Sequence, residues 1–147
     1  MAEKIILFIN KKSIELLRKD KKLPLYKLAE GNCSEVARLI GCKLIKNSKV
    51  VILKGQNIPH SRCKSHDILA IRSRIIFLFD PTIWQFFKRK RTTFLGYFSS
   101  IEKALAYAEK IYGGHWQVSE KLDKKTCSSA NLLKLAKVLS QNLNEVL

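Results

Sequence analysis

Two short apolar runs separated by three polar residues constrain this chain more than any other feature of its sequence. The runs cover residues 66–71 and 75–80, and the polar residues are 72–74. Apolar runs of this length bounded by a short polar turn are typical of a β-hairpin. A three-residue turn would place His66 directly opposite Asp80, whereas a two-residue turn would put them on different faces. The sequence therefore predicts an antiparallel hairpin in which His66 and Asp80 share one face.

Patterns elsewhere predict that this hairpin belongs to an α+β domain. The other predicted elements are a short strand or helix start over 3–9, a basic helix over 12–22 that ends before Pro24, a helix over 31–44, a strand over 50–53 covered on both faces, a helix after the capping box of Ser99 and Glu102 that ends at Gly113, and a last helix over 132–146. The chain has 147 residues without an internal repeat or a Pro/Gly-rich linker. We therefore predict a single domain over residues 1–147 with a small antiparallel sheet and flanking helices.

The charge of the chain bears on its partners rather than on its fold. Lys and Arg number 28 against 12 Asp and Glu, a formal charge of +16. Such a surface attracts nucleic acid, anionic membranes or acidic proteins. No apolar run approaches the roughly 20 residues of a membrane-spanning helix, and residues 5–9 are too short for a signal-peptide core. We therefore expect a cytoplasmic protein, or one delivered to another cell without a cleaved signal peptide.

Three residues at the ends of predicted elements point to nucleophilic catalysis. Cys33 begins a helix capped by Asn32, where unpaired N–H groups and the helix dipole stabilise a thiolate. His66 begins one strand of the hairpin and Asp80 ends the other. A thiolate attacks an acyl carbon, an imidazole returns the proton, and a carboxylate orients the imidazole. We therefore predict Cys33, His66 and Asp80 as nucleophile, general base and acid, and orienting residue.

The order of these residues resembles that of the papain-like/transglutaminase-like superfamily. The resemblance covers residues 30–90 and rests on Gly31-Asn32-Cys33 opening a helix, His66 opening a strand, and Phe79-Asp80-Pro81-Thr82 followed by Trp84-Gln85-Phe86. The last stretch is similar to bacterial papain-fold toxins, effector glutamine deamidases and effector cysteine proteases. The resemblance implies a papain-like fold and acyl transfer to water on a protein substrate, by deamidation or proteolysis. It also implies an acidic partner, which would be a neutralising (immunity) protein or a host target.

The oxyanion hole is the part of this machinery that the sequence defines least. The backbone N–H of Cys33 supplies one donor at the helix start. For the second donor, the side-chain amides of Asn32, Gln56 and Gln85 are the candidates. In papain a glutamine lies several residues before the cysteine, where this chain has residues 26–28 without one. Asp67, directly after His66, is a further departure that could change the electrostatics around the histidine.

Other interpretations of the cysteines and histidines compete with the triad. In a cytoplasmic chain the four cysteines are expected to be free thiols, ligands or a nucleophile rather than disulfides. His60, Cys63 and His66 are spaced like zinc ligands, but no fourth ligand lies at a familiar distance and the segment is basic. His115 could compete for the role of base, although a packed turn suits it better. We expect no metal and no cofactor.

A basic module without catalysis is the alternative from a different functional class. The run 88–91 is entirely basic and follows Trp84, Phe86 and Phe87. Basic and aromatic residues together can bind nucleic acid through phosphates and stacked bases. No helix-turn-helix, zinc-finger or RNA-binding signature accompanies them. We therefore expect an acidic protein partner more than a nucleic acid.

Overall fold

The computed structural model describes residues 2–18, 22–59 and 64–146. These residues form five α-helices and five strands in the order α1 (Ala2–Arg18), α2 (Leu25–Ala29), α3 (Cys33–Gly41), β1 (Lys49–Gln56), β2 (Ser65–Arg72), β3 (Ile76–Phe79), β4 (Phe94–Phe98), α4 (Ile101–Tyr112), β5 (His115–Leu122) and α5 (Ser129–Asn144). A single 3-10 turn, Ile83–Gln85, follows β3. The α+β prediction is confirmed. None of the helices described is long and apolar enough to cross a membrane.

The sheet is antiparallel throughout, in the order β4-β3-β2-β1-β5. The predicted strand over 50–53 lies inside β1 and is buried, as its continuous apolar run indicates. Strands β4 and β5 were not predicted. Most side chains of β5 are exposed, because this strand lies at the edge of the sheet. An edge strand with one solvated face lacks the apolar run by which a buried strand is recognised.

The register of the hairpin differs from the prediction. The turn does contain three residues, 73–75, but the ladder starts with Arg72 opposite Ile76 and ends with Leu69 opposite Phe79. His66 and Asp80 are therefore not directly opposite, and that part of the prediction is wrong. The shift is two residues, and side chains alternate with a period of two along a strand. Both side chains consequently remain on the predicted common face.

Apolar side chains cover both faces of the sheet. One face packs against α1, α2, α3 and α5 through a core that includes Ile40, Ile52 and Leu69. The other face packs against α4 through Leu53, Ile68 and Ala108. His66 belongs to the α4 face, since its ring contacts Tyr112. The two cores immobilise β2, the strand that carries His66.

The starts of two helices are now defined. Residues 3–9, for which the sequence left a short strand or a helix start open, form the start of α1, which continues through the basic residues to Arg18. Of the basic helix predicted over 12–22, residues 19–21 lie outside the described residues. Helix α4 is capped by Ser100, whose hydroxyl accepts the N–H of Lys103, and not by Ser99. A serine one residue later satisfies the same unpaired N–H groups. Adjacent serines cannot be told apart by the capping pattern alone.

A disulfide joins Cys42, at the end of α3, to Cys127, just before α5. The expectation that these two residues are free thiols is therefore wrong. Their separation of 85 residues in the sequence gives no local signal, and the packing of α3 against α5 brings them together. Cys33 is a free thiol, and Cys63 lies outside the described residues.

Removing this disulfide is expected to lower stability substantially. We expect Cys42→Ser combined with Cys127→Ser to lower the free energy of unfolding by about 2–4 kcal/mol, because the bond restricts a long loop in the unfolded chain. Urea titration followed by circular dichroism measures the change. A reductant should destabilise the wild-type protein by a similar amount and leave the double variant unaffected. Equal stability of the wild-type protein and the double variant without reductant would contradict the Cys42–Cys127 disulfide.

Candidate active site

Cys33, His66 and Asp80 meet where α3 begins, β2 begins and β3 has just ended. Nε2 of His66 lies 2.7 Å from Oδ2 of Asp80, and both side chains are fully buried. The contact expected between these two residues is therefore present despite the different register. Its length is that of a charge-assisted hydrogen bond. The histidine ring is consequently held by one nitrogen.

The Asp80 carboxylate is oriented by further donors. The backbone N–H of Thr82 donates to Oδ1 at 3.1 Å, and the hydroxyl of Tyr112 donates to Oδ2. Burial and the nearby charge of Asp80 raise the pKa of Tyr112 well above its usual value, so the tyrosine remains a donor. Tyr112 was missed by sequence reasoning. It lies at the end of α4, 32 residues from Asp80, and no local pattern relates the two.

The second nitrogen of His66, Nδ1, is not used by Asp80. Cys33, at the start of α3, is among the groups that raise the pKa of His66, so its thiol belongs to the surroundings of this histidine. The amide nitrogen of Gln85 lies 3.3 Å from Nδ1 and donates to the hydroxyl of Thr82 at 2.9 Å. The thiol thus lies near a histidine whose other nitrogen is held by Asp80.

Opposing effects determine the protonation of His66. Burial lowers the pKa of His66, but the charge and hydrogen bond of Asp80, together with those of Cys33, raise it from 6.5 to about 10. The imidazole is therefore protonated at neutral pH and can pair with a thiolate. Protonation stabilises the folded protein fully below pH 6.5, and this contribution is lost as the pH rises through about 10.

Aromatic rings enclose His66. The ring centroids of Phe86, Tyr112 and Trp116 lie 4.6, 5.3 and 6.1 Å from that of the histidine. These rings exclude water from the His66–Asp80 pair, and a charge-assisted hydrogen bond is stronger in such a medium. The aromatic residues at 84–87 therefore serve the site and the core more than a solvent-exposed binding surface.

The three candidate oxyanion donors lie in different environments. The Asn32 amide donates to the carbonyl of Leu28 at 2.7 Å, and its oxygen accepts from Asn142 at 3.0 Å. Asn32 precedes α3 as predicted, but its side chain does not cap the helix. Gln56 is exposed at the end of β1. Gln85 is the candidate that lies beside His66 Nδ1.

An ion-pair cluster links the nucleophile helix to the histidine strand. Arg38 in α3 donates to Asp67 at 2.8 Å and to Glu120 of β5 at 2.9 Å. Lys54 lies 3.6 Å from the other oxygen of Asp67. Asp67 therefore points to the α3 face, away from His66, and its charge is compensated there. Sequence reasoning found Asp67 but not its partners, which are separated from it by tens of residues.

The sequence left two other roles open for the histidines, a second base and zinc ligation. His115 begins β5 rather than lying in a packed turn, and its side chain is 73% exposed, 3.7 Å from Glu109. Of the residues spaced like zinc ligands, His60 and Cys63 lie outside the described residues. The third, His66, binds Asp80 through Nε2, and its Nδ1 lies 3.3 Å from the amide nitrogen of Gln85.

Known proteins supply no family for this chain. Neither the protein-family models, nor the curated proteins, nor the solved structures compared with the chain contain a match. The function is therefore argued from the geometry of Cys33, His66 and Asp80.

Proposed function

We propose that the protein is a cysteine-dependent acyl-transfer hydrolase of papain-like type that acts on a protein substrate. The observation that carries this proposal is the buried His66–Asp80 pair, with Nε2 2.7 Å from Oδ2, together with the free thiol of Cys33, which contributes to the raised pKa of His66. A buried histidine that is raised in pKa by a carboxylate and a thiol matches the requirements of an activated nucleophile. Glutamine deamidation and peptide hydrolysis both use this chemistry.

In the proposed mechanism each residue has its own step. The Cys33 thiolate attacks the carbonyl carbon, and the imidazolium of His66 gives its proton to the departing ammonia or amine as the C–N bond breaks. The neutral imidazole then removes a proton from water, which attacks the thioester. The acid is released, and the proton returns to the Cys33–His66 pair. Asp80 holds the ring in place for both steps, and Tyr112 holds Asp80.

Gln85 fits the role of the second oxyanion donor. Its amide nitrogen lies 3.3 Å from Nδ1 of His66, the nitrogen that Asp80 does not use. The hydrogen bond from Gln85 to Thr82 limits the motion of the side chain, and a donor that is already oriented costs little reorganisation during the reaction. We assign Asn32 a structural role instead, since both ends of its amide are engaged.

The disulfide supports action outside the compartment of synthesis. Disulfides persist in oxidising environments and are rare in the cytosol. The Cys42–Cys127 bond is therefore in keeping with a toxin or effector that leaves the cell that makes it.

Selective alkylation of Cys33 tests the proposal without knowledge of the substrate. At about pH 6, iodoacetamide is expected to alkylate Cys33 at least tenfold faster than glutathione in the same solution, because an ordinary thiol is almost entirely protonated there. Peptide mapping by mass spectrometry identifies the labelled residue.

Cys33→Ser provides the control for this experiment, since it should abolish labelling of the peptide that contains residue 33. A Cys33 rate equal to that of glutathione would refute the proposal. The alternative, a binding module without catalysis, requires no such reactivity.

A further inference from the structure

A basic loop borders the site and is not used by the chemistry described above. This loop, residues 86–91, lines an open groove of about 550 Å³ with Phe86, Phe87, Lys88, Arg89 and Lys90. Phe86 at one end of the groove contacts the ring of His66 at 4.6 Å between centroids. Phe86 therefore links the groove to the buried histidine of the candidate site.

Two contacts hold this loop, so its charges have a defined position. The indole N–H of the buried Trp84 donates to the carbonyl of Lys90 at 2.9 Å. The ammonium of Lys88 lies over the ring of Tyr26, 4.4 Å from its centroid. Tyr26 belongs to α2, the short helix that precedes Cys33 in the chain. The loop is thus fixed to Trp84 on one side and to α2 on the other.

The charges of this loop have no carboxylate partner among the described residues. Residues 88–91 are four exposed cations in succession. Within the part of the chain that is described, no carboxylate forms an ion pair with any of them. Fixed like charges with no internal partner attract a ligand of opposite charge.

We infer that this groove binds an acidic segment of the protein substrate, with carboxylates flanking the group that Cys33 attacks. The inference rests on the proposed function and specifies its substrate class. Nucleic acid is the less suitable occupant, because base stacking needs an open aromatic face. The rings of Phe86 and Phe87 instead pack against Tyr112, at 5.0 and 5.8 Å. A nucleic acid backbone also offers the thiolate no acyl carbon.

Three peptide probes with one electrophile test this inference. Each carries a chloroacetamide on the same central side chain, flanked on both sides by glutamate, glutamine or lysine. The glutamate probe is expected to alkylate Cys33 about tenfold faster than the glutamine probe at low salt, since several exposed ion pairs of modest strength act together. The lysine probe should be the slowest. In about 0.5 M NaCl the glutamate advantage should shrink severalfold, because salt screens exposed charges.

Variants of the loop show whether these cations are responsible. In Lys88→Gln, Arg89→Gln, Lys90→Gln, the ratio of glutamate to glutamine rates is expected to fall to about one. The ratio is taken within each protein and so does not depend on the intrinsic reactivity of the thiol. A matched variant removes the exposed cations Lys124, Lys125 and Lys134, at or just before the start of α5. It should retain most of the wild-type ratio.

The outcomes separate the two proposals. If iodoacetamide does not prefer Cys33 in the wild-type protein, the proposed function fails. If it does, and the glutamate and glutamine probes react equally, only the acidic-segment inference fails. Persistence of the wild-type ratio in the loop variant would also overturn it. Stronger suppression of the glutamate probe by single-stranded oligothymidylate than by oligoglutamate of equal charge would assign the groove to nucleic acid instead.

Discussion

Replacing His66 with asparagine is expected to slow the alkylation of Cys33 by iodoacetamide about 30-fold at about pH 5.5. In the wild-type protein the pKa of His66 is raised to about 10, so its ring is an imidazolium at this pH, and in the proposed mechanism this cation stabilises the thiolate of Cys33. An ordinary thiol without such a partner is only about 0.1% ionised at that pH. The expected change in rate is smaller than the change in ionisation, because a thiolate stabilised in this way is a weaker nucleophile.

The pH dependence makes the His66→Asn result specific. Alkylation of the wild-type protein should change little between about pH 5.5 and 8, whereas the variant rate should rise about tenfold per pH unit towards the ionisation of a free thiol. His115→Asn is the matched control, since this histidine is exposed and lies beside Glu109 instead. It should leave the profile unaltered. If His66→Asn and the wild-type protein have the same profile, His66 does not activate Cys33.

Replacing Arg38 with methionine is expected to lower the free energy of unfolding by about 3–5 kcal/mol. The guanidinium bridges Asp67 of β2 and Glu120 of β5, and the Asp67 side chain is only 3% exposed. Removing one partner leaves a buried charge with Lys54 as its remaining cation at 3.6 Å. The substitution keeps the length of the aliphatic stem, so the lost ion pair dominates the effect. Urea denaturation measures the loss.

An exposed ion pair provides the comparison for Arg38. Lys12→Met removes the nearer of the two lysines that pair with Glu15 in α1, where the side chains of Lys12 and Glu15 are at least one-third exposed. This change should cost less than about 0.5 kcal/mol. Adding Asp67→Leu to Arg38→Met should restore part of the stability, because no buried charge then remains. A loss below about 1 kcal/mol for Arg38→Met alone would show that the cluster is solvated.

Much of the fold follows from local patterns in the sequence. The apolar run 50–53 identified the buried strand β1, and the two runs around the polar turn identified the hairpin β2–β3. Edge strands β4 and β5 could not be recognised, because most side chains of β5 are exposed and none in β4 is fully buried. The exact register could not be predicted either. Several pairings place the same side chains inward, and packing on both faces of the sheet selects among them.

The candidate site shows the same division. Cys33 at a helix start and His66 and Asp80 at strand ends could be selected from residue type and position, and the even periodicity of strands kept the latter two on one face. Tyr112 could not be selected, because a tyrosine at the end of an amphipathic helix ordinarily belongs to the core. Arg38 could not be selected either, since an arginine in a helix is ordinarily solvated.

The sequence by itself determined the α+β class, the antiparallel hairpin and the three residues proposed for catalysis. These depend on periodicity and on the chemistry of element ends, both of which are local. Only the tertiary structure decided the hairpin register, the Cys42–Cys127 bond, the donors around Asp80 and the partners of Asp67. Each of these joins residues on separate elements. Their contacts depend on how the helices pack against the sheet, which no local pattern in the chain records.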